Sequence, residues 1–97
     1  MKKLVIIGAG GYAKSVLDSI DYGAYEVVGF LDESSKEKTH LGYPIKWNNF
    51  NDIENSSDYY YFIAIGNNNR RKRWFDILKD NNLSLINVID KTAIILY

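Results

Sequence analysis

The chain contains no cysteine, and it has a single histidine, a single proline and a single methionine. Without cysteine there is no disulfide, no thiolate nucleophile and no thiolate metal site, a composition that suits the cytoplasm. With His40 as the lone histidine, a zinc site built on imidazoles is not expected, and no metal or catalytic residue is assigned. Charge of one sign is also missing. Twelve basic and twelve acidic side chains cancel, so no overall field draws in nucleic acid or an anionic membrane. Long apolar runs are lacking as well. The longest, Tyr59 to Ile65, has seven residues, against about 20 for a membrane-spanning helix. Lys2 and Lys3 precede the apolar Leu4 to Ile7, but that run is too short for the core of a signal peptide.

What remains is one small domain of 97 residues with enough apolar content, 46%, to form a core. Leu4 to Ile7 is short, continuous and β-branched, which predicts a buried strand. Ala13, Val16, Leu17 and Ile20 recur at helical spacing and predict a helix from Tyr12 to about Ile20, ended by Tyr22-Gly23. Glu26 to Leu31 reads as a second strand, and Ser34 to His40 as a polar loop with His40 exposed. Pro44 favours an extended piece around it, Trp47 falls at a core edge or an interface, and one helical turn is expected within 48–57. Tyr59 to Ile65 is the strongest strand, Arg70 to Asp80 a helix with Trp74, Ile77 and Leu78 on one face, and Leu83 to Ile89 a last strand. Tyr59, Tyr60 and Tyr61 look like a base-stacking platform but alternate along a strand, so core packing is the better reading.

Strands alternating with helices predict an α/β fold, a small Rossmann-like three-layer domain with a parallel sheet of about four strands. If the strand at Tyr59 lies beside the first one, the turns at Gly8 and Gly66 flank the switch point where open α/β sheets bind ligands.

Gly8-x-Gly10-x-x-Ala13 fits the glycine pattern of a phosphate-binding turn. The first glycine permits the tight turn, the second lets the backbone approach a diphosphate, and the small third residue lets helix and strand pack closely. The helix N-terminus adds free N–H donors. Asp32 follows Gly8 by 24 positions, at a strand end where an acid can accept from a ribose hydroxyl. A turn that only packs would show the same residues. A dinucleotide suits the chain poorly, because it takes two mononucleotide-binding halves and this chain has about one. A ligand with one nucleoside and one diphosphate suits it better.

Asn67, Asn68 and Asn69 supply a helix cap and exceed what a cap requires. Arg70 to Arg73 point in four directions around a helix, so they form a solvated helix start rather than one basic face. Only Arg70 is near enough to the strand end to reach a ligand, and a cation in the first turn opposes the helix dipole.

The segments "LVIIGAGGYAKSVLDSI", "VVGFLDE", "LGYPI", "FIAIGNNNRRKRWFDIL" and "LINVIDKTAII", in this order, resemble the N-terminal domain of the NeuD/PglD-type sugar acetyltransferases. The resemblance implies a domain that binds a nucleotide-sugar, typically a UDP-linked amino sugar. By that resemblance Gly8, Gly10 and Gly11 line the phosphate turn, Asp32 and Glu33 sit near the nucleoside, and Gly66, Asn67, Asn68 and Arg70 form a second lip. Tyr12 stands where the family commonly has histidine; it keeps a hydrogen-bonding tip and loses the titratable ring. The family's acetyl-CoA site and catalytic histidine belong to a C-terminal left-handed β-helix, and the full-length enzymes are usually homotrimers.

The resemblance therefore implies residues 1–90 as the nucleotide-sugar-binding domain and 91–97 as the start of a connection to that β-helix. This chain is expected to hold no cofactor and no catalytic residue of its own, with acetyl-CoA used by the full-length parent. The alternatives are a stand-alone nucleotide-binding or regulatory module and an NAD-linked domain.

Overall fold

The computed structural model describes residues 1–90 and 93–96. Lys2–Ile7 form β1, Tyr12–Ser19 α1, Tyr25–Leu31 β2, Thr39–His40 β3, Tyr43–Trp47 β4, Tyr60–Ile63 β5, Asn68–Asp80 α2, Ser84–Asp90 β6 and Ala93–Leu96 β7. The strands make one seven-stranded sheet in the order β3-β4-β2-β1-β5-β6-β7. β4, β2, β1, β5 and β6 run parallel. β3 and β7 join the two edges antiparallel.

The class is the expected α/β, and β5 lies beside β1 on the side away from β2. The strand count is seven rather than about four. β4 escapes an apolar-run criterion because its residues alternate between half-buried and exposed. Thr39 and His40, expected in a loop, pair with β4 across a hairpin whose tip residues Leu41 and Gly42 both have positive φ, 51° and 85°, the twist a two-residue hairpin favours. The single helical turn expected within 48–57 is two short 3-10 turns, Phe50–Asp52 and Ser56–Asp58. Of the connection expected at 91–97, residues 91, 92 and 97 lie outside the described residues, and Ala93–Leu96 is β7.

β1 alternates across the sheet. Leu4 and Ile6 face α1 and pack with Ala13, Val16, Leu17, Phe30 and Ile86. Val5 and Ile7 face α2 and pack with Tyr61, Trp74, Leu78 and Leu85. Trp47 and Tyr59 flank this second layer with their rings edge to face, so Trp47 sits at the core edge. Tyr61 is fully buried and donates its hydroxyl to Ser56 O at 2.7 Å, which places it in the core. Two helices on opposite faces of a parallel sheet leave a crevice at the carboxyl ends of β1 and β5, between the turns that lead into α1 and α2. Among the described residues no helix is long and apolar enough to cross a membrane, and no group of His, Asp and Glu is arranged to hold a metal ion.

Candidate functional site

The crevice is an open cleft of about 300 Å³. Its floor and one lip are the β1–α1 turn, with Gly8, Gly10, Gly11 and Tyr12. The opposite lip is the β5–α2 turn, with Gly66, Asn67 and Arg70. The third wall holds Asp32, Ser34 and Ser35.

The glycines of the turn have different reasons for being glycine. Gly8 has φ +104°, and a Cβ there would stand 2.8 Å from both Ala64 O and Ile65 Cγ1. Its conformation and the passing β5 strand each exclude a side chain. Gly10 and Gly11 are not in the left-handed region, and a Cβ on either would meet nothing within 4 Å. Neither backbone strain nor packing within this chain calls for glycine there. Their missing side chains keep open space over the turn.

The backbone donors of the turn are also distinctive. Gly8 N–H donates to Leu31 O, continuing the sheet. Ala9 N–H donates to Asp32 Oδ2 at 2.6 Å. Among the described residues, the N–H groups of Gly10 and Gly11 have no acceptor. α1 starts behind them with Gly11 as N-cap, no side-chain cap and no acidic residue in its first turn, so its positive end is left for an external anion.

Asp32 does not present a free carboxylate. Besides Ala9, its Oδ1 accepts from Ser34 N, Ser34 Oγ and Ser35 N. Burial alone would raise its pKa, but the N–H donors of Ala9, Ser34 and Ser35 and the Ser34 hydroxyl outweigh it and hold the carboxyl below its ordinary value. Asn48 supports the same loop by donating to Asp32 O and Ser35 O.

Glu33 lies outside the cleft wall. Both its oxygens accept from Arg73, at 2.7 and 2.9 Å. Those bonds, against the effect of burial and helped by the charges of Arg73 and Arg70, lower its pKa. Asn67 caps α2, with Oδ1 accepting from Arg70 N at 2.9 Å, and still borders the cleft. Asn68 opens α2 and borders a different cleft, beside Phe62, Phe75 and Ile86. Arg70 borders the main cleft, and among the described residues its guanidinium has no hydrogen bond or ion pair. The β5–α2 lip thus keeps over the crevice a cation with no ion pair among the described residues, while Lys72 and Arg73 pair with Asp76 and Glu33.

His40 is a contact the sequence did not announce. Its Nε2 lies 3.3 Å from Gly10 O, and a carbonyl only accepts, so the bond requires a proton on Nε2. The ring meets Phe30 edge to face. The β3–β4 hairpin thereby props the glycine turn from outside the cleft. The one available signal was the Leu41-Gly42 hairpin tip, which turns His40 back toward the sheet.

Among protein families, residues 3–78 fit the family described as the PglD N-terminal domain. Neither the curated proteins nor the solved structures compared with the chain include a match.

Proposed function

This chain belongs to the PglD N-terminal domain family, and we propose that it is the substrate-binding domain of a PglD-type acetyltransferase, holding a UDP-linked sugar by its diphosphate. The observation that carries the reading is the pair Gly10 and Gly11: two N–H groups with no acceptor among the described residues, no side chains of their own, and on the facing lip an Arg70 without an ion pair there. Two backbone donors and a guanidinium suit a diphosphate, whose negative oxygens accept charge-assisted hydrogen bonds. The nucleoside then lies on the side of Asp32, Ser34 and Ser35. With the Asp32 carboxylate committed to four donors, its part is to shape that wall and to offer the one lone pair left on Oδ2.

The cleft volume supports a mononucleotide-sized ligand. At about 300 Å³ it stands at the lower end of the range for small-molecule sites, about 300–1,000 Å³. In this reading the chain binds and orients; it supplies no nucleophile and no general base. The acetyl group comes from acetyl-CoA held elsewhere in a full-length, homotrimeric, cytoplasmic enzyme that modifies sugars for surface glycans. Isothermal calorimetry on the purified chain tests the binding reading. UDP is expected to bind and NAD to bind more weakly; NAD binding tighter than UDP would overturn it in favour of an NAD-linked domain.

A further inference from the structure

Tyr12 is the largest exposed side chain at the mouth of the cleft, with 63% of its surface in solvent. It opens α1 on one lip, yet its ring reaches the other. A Cβ on Gly66 would stand 2.5 Å from Tyr12 Cε2, 3.2 Å from Cδ2 and 3.3 Å from Cζ. The three atoms nearest that position all belong to this one ring. Gly66 is not in the left-handed region, so its bareness serves no backbone need. It is the seat on which the Tyr12 ring rests.

The seat lies where a second nucleotide would have to pass. β1 and β5 are adjacent and parallel, with their helices on opposite faces. A dinucleotide on such a sheet places its diphosphate on the first turn and crosses the crevice, one nucleotide on each side. The ring of Tyr12 spans that crevice from α1 to the end of β5. The side of Asp32, Ser34 and Ser35 stays open.

We propose that Tyr12, seated on Gly66, is the specificity-determining wall of this cleft, admitting a ligand with one nucleoside, a diphosphate and at most a single sugar beyond it, and turning away one with a second nucleoside on the β5 side. The proposal rests on the diphosphate lying at Gly10 and Gly11. It works by steric exclusion of the wrong ligand rather than by tighter contact with the right one.

The test uses the full chain with two ligands that share a base, UDP and diuridine diphosphate. Calorimetry should find UDP bound at least about tenfold more tightly by the parent, a gap within reach of a steric clash. Tyr12→Ala should narrow that gap by about fivefold through a gain by diuridine diphosphate. Gly66→Ala, which pushes the ring off its seat, should move the gap in the same direction, and should move it no further when added to Tyr12→Ala. An unchanged or wider gap in Tyr12→Ala, or one narrowed only by loss of UDP, overturns the wall, since Tyr12 would then be a bystander or a direct contact. If UDP binds the parent and the gap fails to respond, the wall alone falls. If the parent binds no UDP, the diphosphate reading falls and takes the wall with it.

Discussion

Ala9 N–H donates to Asp32 Oδ2 at 2.6 Å across 23 positions of sequence, and this bond decides which donors of the glycine turn are left for a ligand. With Ala9 satisfied, the open N–H groups shift one residue along, to Gly10 and Gly11. The same carboxylate gathers Ser34 and Ser35, so a single side chain joins the β1–α1 turn to the loop after β2.

Removing that joint should loosen both segments. Asp32→Ala is expected to cost about 1–2 kcal/mol, as a charged acceptor is withdrawn from partly buried N–H donors, and to lower the melting temperature by about 5–10 °C for a domain of this size. The pH dependence has a definite sign. Asp32 is held below the ordinary aspartate value of 3.8 in the folded chain. Its contribution is therefore complete above that value and is lost as pH falls through the lowered folded value. Melting curves of the parent and Asp32→Ala between pH 7 and pH 2 should converge at the acid end; parallel curves would show that the carboxylate does not act through its charge.

Arg70 and Arg73 separate a ligand contact from a structural pair. Arg70→Ala should weaken UDP by about tenfold through loss of a charge-assisted bond and leave the melting temperature nearly unchanged. Arg73→Ala breaks the exposed pair with Glu33, worth less than about 1 kcal/mol, and should leave UDP affinity within about twofold. Equal effects of the two on UDP, measured by calorimetry, would contradict the assignment of Glu33 to a position outside the cleft wall.

His40→Phe keeps a ring against Phe30 and removes the bond to Gly10 O. The expected cost is about 0.5–1 kcal/mol of stability, with UDP affinity falling about threefold as the turn loses its outer prop. Unchanged UDP affinity would mean that the hairpin does not hold the turn.

Much of this arrangement was legible in the residues themselves. β1, β5, α1 and α2 follow from continuous apolar runs and helical spacing, and the glycine turn from its place between strand and helix. The motif already gave Gly8 the tight turn and Gly10 the approach to a diphosphate. The path of β5, which brings Ala64 O against Gly8, adds a close contact that no pattern of letters shows. The contacts of His40 with Gly10, of Asn48 with Asp32 and of Tyr12 with Gly66 span long stretches of chain. They depend on how the crossovers deliver each loop to the same sheet edge, which no local periodicity encodes. β4 was read only as an extended piece around Pro44, because a strand that alternates half-buried and exposed carries a weak apolar signal. The resemblance placed both Asp32 and Glu33 near the nucleoside, yet one became a loop clamp and the other the partner of Arg73.

The two kinds of glycine give a stability contrast. Gly8→Ala should cost about 2 kcal/mol or more, from a strained φ and a close approach to Ala64 O, lowering the melting temperature by about 10 °C. Gly10→Ala should leave it within about 2 °C. Equal destabilisation, read by differential scanning calorimetry, would mean that Gly10 is as structural as Gly8.

The most direct test of a diphosphate on this turn is the UDP affinity of Gly10→Val. The branched side chain would fill open space beside the turn, where, its chain neighbours aside, no atom of the described residues lies within 4 Å of the Gly10 Cβ position. Calorimetry is expected to find a folded protein with no measurable UDP binding. A folded Gly10→Val that binds UDP as tightly as the parent would show that the phosphates lie somewhere else.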